Sequence, residues 1–189
     1  MVSGVCGDKR RRFDKQGTQV VASAVWRKVM KVIILSGVSG SGKSTYAAKL
    51  LEQEYEDLER EYEDKCLKVS ADDFFTDSLS GKYSFDPSRL GEAHASCFRN
   101  YIEALTDGVN FILVDNTNTT EAEIAPYVLG ANAFGYDVEI HTLVSDRLSA
   151  WKRNVHNVSW KGIQAQYERI FARKLPPYWT EKKIPAKGF

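Results

Sequence analysis

The stretch GVSGSGKS at residues 37–44 fits the pattern G-x-x-x-x-G-K-[ST] at each of its fixed positions. A run of β-branched and aliphatic residues, VIIL at 32–35, precedes it, and a helix-forming run, TYAAKLL at 45–51, follows it. The chain therefore predicts a strand, a glycine-rich loop and a helix in succession. This is the context in which the pattern forms a phosphate-binding loop.

The residue types in this stretch, called the phosphate loop below, suit the binding of an anion. Its glycines allow the backbone to turn N–H groups inward, and the following helix adds its positive N-terminal end. Lys43 can reach the β- and γ-phosphates of a nucleotide, and the Ser44 hydroxyl can ligate Mg²⁺. A Gly/Ser-rich turn without a ligand would not require Lys and Ser at these two positions. We therefore expect ATP and Mg²⁺ as cofactors, with these residues at the nucleotide: Gly37, Ser39, Gly40, Ser41, Gly42, Lys43, Ser44 and Thr45.

Length and composition favour one soluble domain. The chain has 189 residues, of which 43% are hydrophobic and 27% charged, as in ordinary globular proteins. Its net charge of +1 provides no global attraction to nucleic acid, so a nucleic-acid site would need a local basic groove. Three widely spaced cysteines argue against a disulfide framework and favour the reducing cytoplasm. No apolar stretch approaches the roughly 20 residues of a membrane span, so we expect no membrane partner.

Residues 1–29 differ from the rest of the chain. They contain the basic run KRRR at 9–12 and carry seven Lys or Arg against two Asp, a net charge of +5. The run could be an arm that contacts nucleic acid, or the segment could be an extension that precedes a second start at Met30. An Arg-rich transit peptide is disfavoured by the acidic residues. We favour the extension, and predict a basic segment 1–29 outside the fold and a domain at 30–189.

Strand and helix patterns alternate after the phosphate loop. Short strands are expected at 67–70 (LKVS), 111–114 (FILV) and 138–144 (VEIHTLV). Helix boundaries are marked by capping and stop residues, which in chain order are Asp86 with Pro87, Gly108, Thr120 with Glu123, Gly135, Ser145 or Asp146, Ser159, and Pro176 with Pro177. This alternation predicts an α/β fold, a parallel sheet of about four to five strands with helices on both faces.

Polar residues fall at the carboxyl ends of three predicted strands. These are the phosphate loop, the pair Asp72-Asp73, and DNTN at 115–118. Ligands of an open parallel sheet bind beyond these ends, so the three segments should converge. Asp72 or Asp73 can accept a proton from an attacking hydroxyl, and Asp115, which follows four apolar residues, can join Ser44 at Mg²⁺. The alternatives are turn capping for the Asp pair and an Asx turn for 116–118.

Other polar and aromatic residues leave two interpretations open. Arg147, Lys152 and Arg153 lie on a predicted helix, where either Arg147 or Arg153 covers the transferred phosphate or all three form an exposed face. His94 has helical spacing with Leu90 and Cys97, which favours a half-buried structural histidine over a catalytic one. Four aromatic residues either stack on a base or pack in the core or lid: Phe74, Phe75, Tyr83 and Phe85.

Taken together, the motifs resemble the phosphate-loop kinases related to the 5′-kinase domain of bacteriophage polynucleotide kinase. The segments that carry the resemblance lie between about residues 31 and 178, and they are GVSGSGKST (37–45), DDFF (72–75), FDP (85–87) with AHASC (93–97), VDNTN (114–118), GYDVE (135–139) and RNVHNV (153–158). The resemblance implies a P-loop kinase-like sheet with a helical lid. It also implies ATP as the donor and a nucleic-acid 5′-hydroxyl end as the acceptor.

The resemblance implies roles for individual residues. Asp72 would be the general base on the 5′-hydroxyl. Lys43 and Ser44 would bind ATP and Mg²⁺, and Arg153 would contact the donor phosphates from the lid.

Two positions depart from the family. Phe75 stands where the bacteriophage enzyme has an arginine near the acceptor phosphate, and Asn157 stands where it has a second lid arginine. Both departures concern the polynucleotide acceptor more than ATP binding. We therefore expect a kinase that transfers the γ-phosphoryl group of ATP to the 5′-hydroxyl of a polynucleotide. The alternatives are a small-molecule or modified-nucleotide kinase and a non-catalytic NTP-binding module.

Overall fold

A computed structural model of the chain describes residues 12–13, 19–20, 30–58, 66–77 and 79–186. Most of the predicted extension 1–29, including nearly all of its basic run, lies outside these residues. Two short strands within it, β1 (Arg12–Phe13) and β2 (Gln19–Val20), pair with each other in an antiparallel ladder separate from the main sheet. The boundary at residue 30 stays a prediction.

The main sheet has five parallel strands, which confirms the predicted α/β class. Its strands are β3 (Lys31–Ser36), β4 (Cys66–Val69), β5 (Phe111–Val114), β6 (Asp137–Val144) and β7 (Glu181–Pro185). Their order across the sheet is β4-β5-β3-β6-β7. The strand that leads into the phosphate loop is therefore central, with the strands that precede Asp72 and Asp115 on one side of it.

Helices cover both faces of this sheet, as predicted. They are α1 (Lys43–Leu58), α2 (Leu90–Thr106), α3 (Glu121–Ala133), α4 (Arg147–Arg153) and α5 (Trp160–Ala172). Residues alternate along β3, so Val32 and Ile34 pack against α2 and α3, while Ile33 and Leu35 pack with Ala47 of α1. Both faces of the sheet are thus covered by apolar side chains, which is the usual arrangement that stabilises a parallel sheet.

Most of the predicted helix caps are confirmed. The Thr120 hydroxyl and the Glu123 carboxylate form a reciprocal capping box at α3. Asp146, rather than Ser145, caps α4, and Ser159 caps α5. The predicted start at Asp86 differs: its carboxylate accepts from the Ser88 amide and caps a 3₁₀ turn, Pro87–Arg89, so that α2 begins only at Leu90.

The helices α4 and α5, with the segment between them, form the predicted lid over the phosphate loop. Val38 of the loop, Ala150 of α4 and Ile163 of α5 are buried together. Burial of these apolar side chains holds the lid against the loop. In the part of the chain that is described, no helix combines the length and the apolar character needed to cross a bilayer.

Candidate active site

The phosphate loop connects β3 to α1 at the carboxyl edge of the sheet. Gly40 and Gly42 have φ angles of +78° and +97°, which favour glycine over any other residue. A Cβ atom at Gly40 would also collide with the carbonyl oxygen of Ala150 in the lid. Glycine at position 40 thus allows the backbone to turn in the loop and also allows α4 to approach the loop closely.

Lys43 is buried inside the loop. Its Nζ donates hydrogen bonds to the carbonyl oxygens of Gly37 (3.1 Å) and Val38 (3.0 Å). Burial lowers the pKa of Lys43 to about 8, although nearby Asp115 and Asp72 act to raise it. The side chain still carries most of its charge at neutral pH, and its ammonium lies against carbonyl oxygens of the phosphate loop.

Ser44 and Asp115 lie together and carry oxygen atoms that could ligate Mg²⁺. Asp115 is buried at the end of β5, and the Ser44 hydroxyl hydrogen-bonds its carboxylate. Burial raises the pKa of Asp115, whereas Lys43 and Lys68 act to lower it. Mg²⁺ is commonly held by one or two protein oxygens together with water and nucleotide phosphates. The residues present therefore fit this ion.

Ser41 supplies a further observation that fits a bound nucleotide. Its hydroxyl is buried in the phosphate loop and has no hydrogen-bond partner among the described residues. A buried hydroxyl without a partner is costly, and a phosphate oxygen in the loop would satisfy it. Among the residues that the structure describes, no group of three or more His, Cys, Asp or Glu gathers as a metal cluster. A single Mg²⁺ held partly by the nucleotide needs no such cluster.

A cavity of about 510 Å³, called the central cavity below, joins the segments that the sequence predicts to converge. Its walls include the phosphate loop, Asp72, Asp115 with Asn116 and Thr117, and Arg153. The three predicted segments therefore meet at one site, beyond the carboxyl ends of β3, β4 and β5.

The two members of the Asp pair lie in different surroundings. Asp72 lines the central cavity, and its carboxylate accepts a hydrogen bond from the Tyr83 hydroxyl at 3.3 Å. Asp73 instead accepts a hydrogen bond from Lys68 Nζ at 3.0 Å. The cavity-lining carboxylate is the one that is available to a substrate hydroxyl.

The three cations of α4 also occupy different places. Arg153 lines the central cavity and donates a 2.9 Å hydrogen bond to the Ser145 hydroxyl. Arg147 lies over the Tyr167 ring at 5.5 Å, and Lys152 is exposed. Of these three, Arg153 alone is placed to reach a phosphate in the cavity.

The segment 115–118 acts mainly as scaffold beyond Asp115. Asn116 Oδ1 accepts from the Ala71 amide at 2.8 Å, and the Thr117 carbonyl oxygen accepts from the Gly37 amide at 2.9 Å. Asn118 has a φ of +40°, and its side chain donates to the Leu35 carbonyl oxygen at 2.7 Å. Asn116, Thr117 and Asn118 thus each join the segment to a distant part of the chain.

The sequence assigns no role to two further site residues. Gln166 of α5 accepts from the Ser39 amide at 2.8 Å and donates to the Ser39 hydroxyl at 3.2 Å. His156, between α4 and α5, brings its Nε2 to 3.8 Å from the Asp72 carboxylate. Both contacts join the lid to residues far earlier in the chain, so no local spacing could reveal them.

His94 departs from its prediction. The sequence favours a half-buried histidine, but His94 is exposed and lines the central cavity. The reason is the orientation of α2, which buries the face that carries Ala93, Cys97 and Tyr101. His94 follows Ala93 and so lies about 100° around the helix from it.

Comparison with known proteins supports the fold. The family model of the AAA domain matches residues 32–159. Human NEDD4-binding protein 2 is 29% identical over 178 residues, which are 90% of this chain and 9% of that protein. The chain thus spans less than a tenth of the length of this relative.

The fold is also similar to those of solved structures. The Pnkp1/Rnl/Hen1 RNA repair complex contains a chain that is 19% identical, with a TM-score of 0.57 over 76% of this chain and 44% of that one. The Mycobacterium tuberculosis APS kinase CysC, solved in complex with AMPPNP and APS, is 14% identical, with a TM-score of 0.54 over 85% of this chain and 91% of that one. The expected P-loop kinase-like fold is confirmed.

Proposed function

We propose that this chain, which belongs to the AAA domain family, is an ATP-dependent kinase that transfers the γ-phosphoryl group to the 5′-hydroxyl end of a polynucleotide. One observation carries the proposal: Asp72, Lys43 and Arg153 line the same cavity. Transfer to a hydroxyl needs a proton acceptor at the nucleophile and positive charge at the phosphates. These three side chains supply both.

On the donor side, the phosphate loop would hold the nucleotide. Its N–H groups and Lys43 would bind the β- and γ-phosphates, and the Ser41 hydroxyl would gain the partner that it lacks. Ser44 and Asp115 would hold Mg²⁺, which when bound neutralises the charge that develops on the phosphate oxygens. Arg153 would cover the transferred group from the lid, and the bonds of Gln166 to Ser39 would keep the lid against the loop.

On the acceptor side, Asp72 would take the proton of the attacking hydroxyl. As the new O–P bond forms, the bond from the γ-phosphorus to the bridging oxygen breaks, ADP leaves and the proton stays on Asp72. The Asp72 carboxylate is exposed and lines the central cavity, so a bound hydroxyl can reach it.

The choice of a polynucleotide acceptor is supported by the motifs that resemble polynucleotide 5′-kinases. A small-molecule acceptor is favoured by one specific observation, which is that Phe75 is buried among aromatic rings where those enzymes have an arginine. Without that cation, the site offers less to a phosphate backbone. We also propose that the protein works in the cytoplasm, as its widely spaced cysteines suggest.

A screen of acceptors tests the proposal. The purified chain is incubated with Mg²⁺ and γ-labelled ATP, and with 5′-hydroxyl DNA, 5′-hydroxyl RNA, free nucleosides or simple sugars. Label on a 5′-hydroxyl oligonucleotide is the expected result. Label on a nucleoside or a sugar alone would replace the polynucleotide by a small molecule. ATP binding without label on any acceptor would indicate a non-catalytic module.

A further inference from the structure

The central cavity has two chemically different ends. One end is the phosphate loop with Lys43 and Arg153. The other is formed by ring-bearing side chains that contact one another, namely Tyr83, Phe85 and His156. A molecule that brings a hydroxyl to Asp72 while facing the phosphate loop must place its remaining atoms beside this second end.

Asp72 marks the boundary between the two ends. Its carboxylate accepts from the Tyr83 hydroxyl at 3.3 Å and lies 3.8 Å from His156 Nε2. It is also close enough to Lys43 to act on that ammonium. The carboxylate is thus in contact with the aromatic end and within electrostatic reach of the phosphate loop.

The rings of the aromatic end are fixed by packing. Phe75 is buried beneath them and meets Phe85 with an interplanar angle of 65° and centroids 5.0 Å apart, and meets Tyr83 at 6.3 Å. Tyr83 and Phe85 are almost parallel, with 10° between their planes and 6.5 Å between their centroids. Tyr83 nevertheless remains 37% exposed and Phe85 49%. Exposed rings that are already held in place offer a flat ligand a π-face at little ordering cost.

The lid supplies one further ring at this end. The centroid of the His156 ring lies 5.2 Å from that of Tyr83, with 58° between the planes. His156 follows Arg153 closely in the chain, on the segment that leads from α4 to α5. The lid therefore contributes a cation to one end of the cavity and a ring to the other.

Few cations face the aromatic end. Lys43 and Arg153 are the only Lys or Arg among the described residues that line the cavity. Nearby Arg89 is bound to Glu92 at 2.9 Å and lies 4.6 Å over the Phe74 ring, and Lys68 is bound to Asp73. An acceptor bound at this end would contact aromatic surface close to Asp72. Few positively charged side chains would be near its phosphates.

From these observations we infer that the acceptor is recognised through the nucleobase of its 5′-terminal nucleoside, which stacks on the Tyr83–Phe85 pair beside His156. The inference rests on the proposed function and adds to it the part of the acceptor that is bound. Stacking tolerates any base because every base has a π-face, so the site would favour nucleosides over sugars without strong sequence preference.

Two matched acceptors test the inference. Both are 5′-hydroxyl oligonucleotides of the same sequence, and one has an abasic residue at its 5′ terminus. Dissociation constants are measured without ATP, and KM is measured for phosphorylation. We expect the terminal base to tighten binding and lower KM by about 5- to 150-fold, the range of base stacking on an aromatic side chain. This comparison uses the wild-type chain and needs no substitution.

A matched pair of variants assigns the effect to the proposed rings. Phe85→Leu keeps an apolar side chain and removes the π-face, so the preference for the base should shrink. Phe171 is 84% exposed outside the central cavity, so Phe171→Leu should keep the full preference.

The outcomes separate this inference from the proposed function. Equal constants for the two oligonucleotides would overturn the stacking site, even if both were phosphorylated. A clear preference in binding without phosphorylation of either would support the stacking site and contradict the kinase. Loss of the preference in Phe171→Leu but not in Phe85→Leu would also overturn the assignment.

Discussion

The Ala71 amide donates a 2.8 Å hydrogen bond to the side-chain oxygen of Asn116, which ties the end of β4 to the end of β5. The Ser70 hydroxyl adds a 2.8 Å bond to the Asp115 carbonyl oxygen. The two bonds hold the turn that begins at Asp72 against the segment that begins at Asp115. Asp72, the proposed proton acceptor, and Asp115, the proposed metal ligand, therefore lie at neighbouring strand ends beside one phosphate loop.

Asp72→Asn should lower turnover by roughly 10²–10⁴, the usual contribution of a general base, with little change in the KM for ATP. Asp73→Asn is the matched control, because Asp73 faces Lys68 and does not line the central cavity. Steady-state kinetics of both variants measure the difference. A larger loss for Asp73→Asn would assign the base to that residue instead.

Lys43→Ala should abolish turnover and leave the fold intact. The Nζ atom bonds two loop carbonyl oxygens, and its charge is needed where phosphate charge develops during transfer. Turnover and thermal unfolding are measured on the same preparation. Activity within about tenfold of wild type, in a folded variant, is incompatible with the assigned role.

Arg153→Ala should lower both turnover and ATP affinity, because a lid arginine must close over the donor phosphates before transfer. Lys152→Ala removes the neighbouring charge from an exposed position and should behave like wild type. If the two variants had the same turnover and the same ATP affinity, Arg153 would belong to a solvated helix face and would have no role at the donor phosphates.

His141 should make the protein less stable as the pH falls below neutrality. Burial lowers the pKa of His141 from 6.5, although the Glu139 carboxylate, 2.9 Å from its Nε2, acts to raise it. The unfolded chain therefore binds a proton at a higher pH than the folded one. The free energy of unfolding falls as the pH drops through about 6.5 and below, until His141 protonates in the folded state.

Chemical denaturation at several pH values between 7.5 and 5 measures this loss. His141→Gln should reduce the slope of the free energy of unfolding against pH in this window, since glutamine does not titrate there. An unchanged slope in the variant would show that His141 is not the residue responsible.

The local elements of the fold could be predicted because their causes are local. The phosphate loop combines fixed glycines with Lys43 and Ser44, and the box at Thr120 and Glu123 spans a single helical turn. β5 is recognisable because all four of its residues are apolar, and the structure buries all four. In each case a few adjacent residues carry the whole signal.

The remaining elements depend on contacts between distant parts of the chain. β7 has no strand pattern in its sequence, EKKIP, because it is a largely exposed edge strand that is defined by its pairing with β6. Asp72 and Asp73 have the same chemistry, and it is their contacts with distant or cavity-lining residues that distinguish them: Asp72 lines the cavity beside Tyr83, and Asp73 binds Lys68. The roles of the site residues and the boundary of the 1–29 segment stay predictions.

The most direct test of the central claim is transfer of label from γ-labelled ATP to a matched pair of oligonucleotides, one with a 5′-hydroxyl and one with a 5′-phosphate. The account predicts that the first is labelled at its 5′ end, that the second is not labelled, and that Asp72→Asn transfers label far more slowly. Absence of label on the 5′-hydroxyl oligonucleotide, from a folded chain that binds ATP, would contradict it.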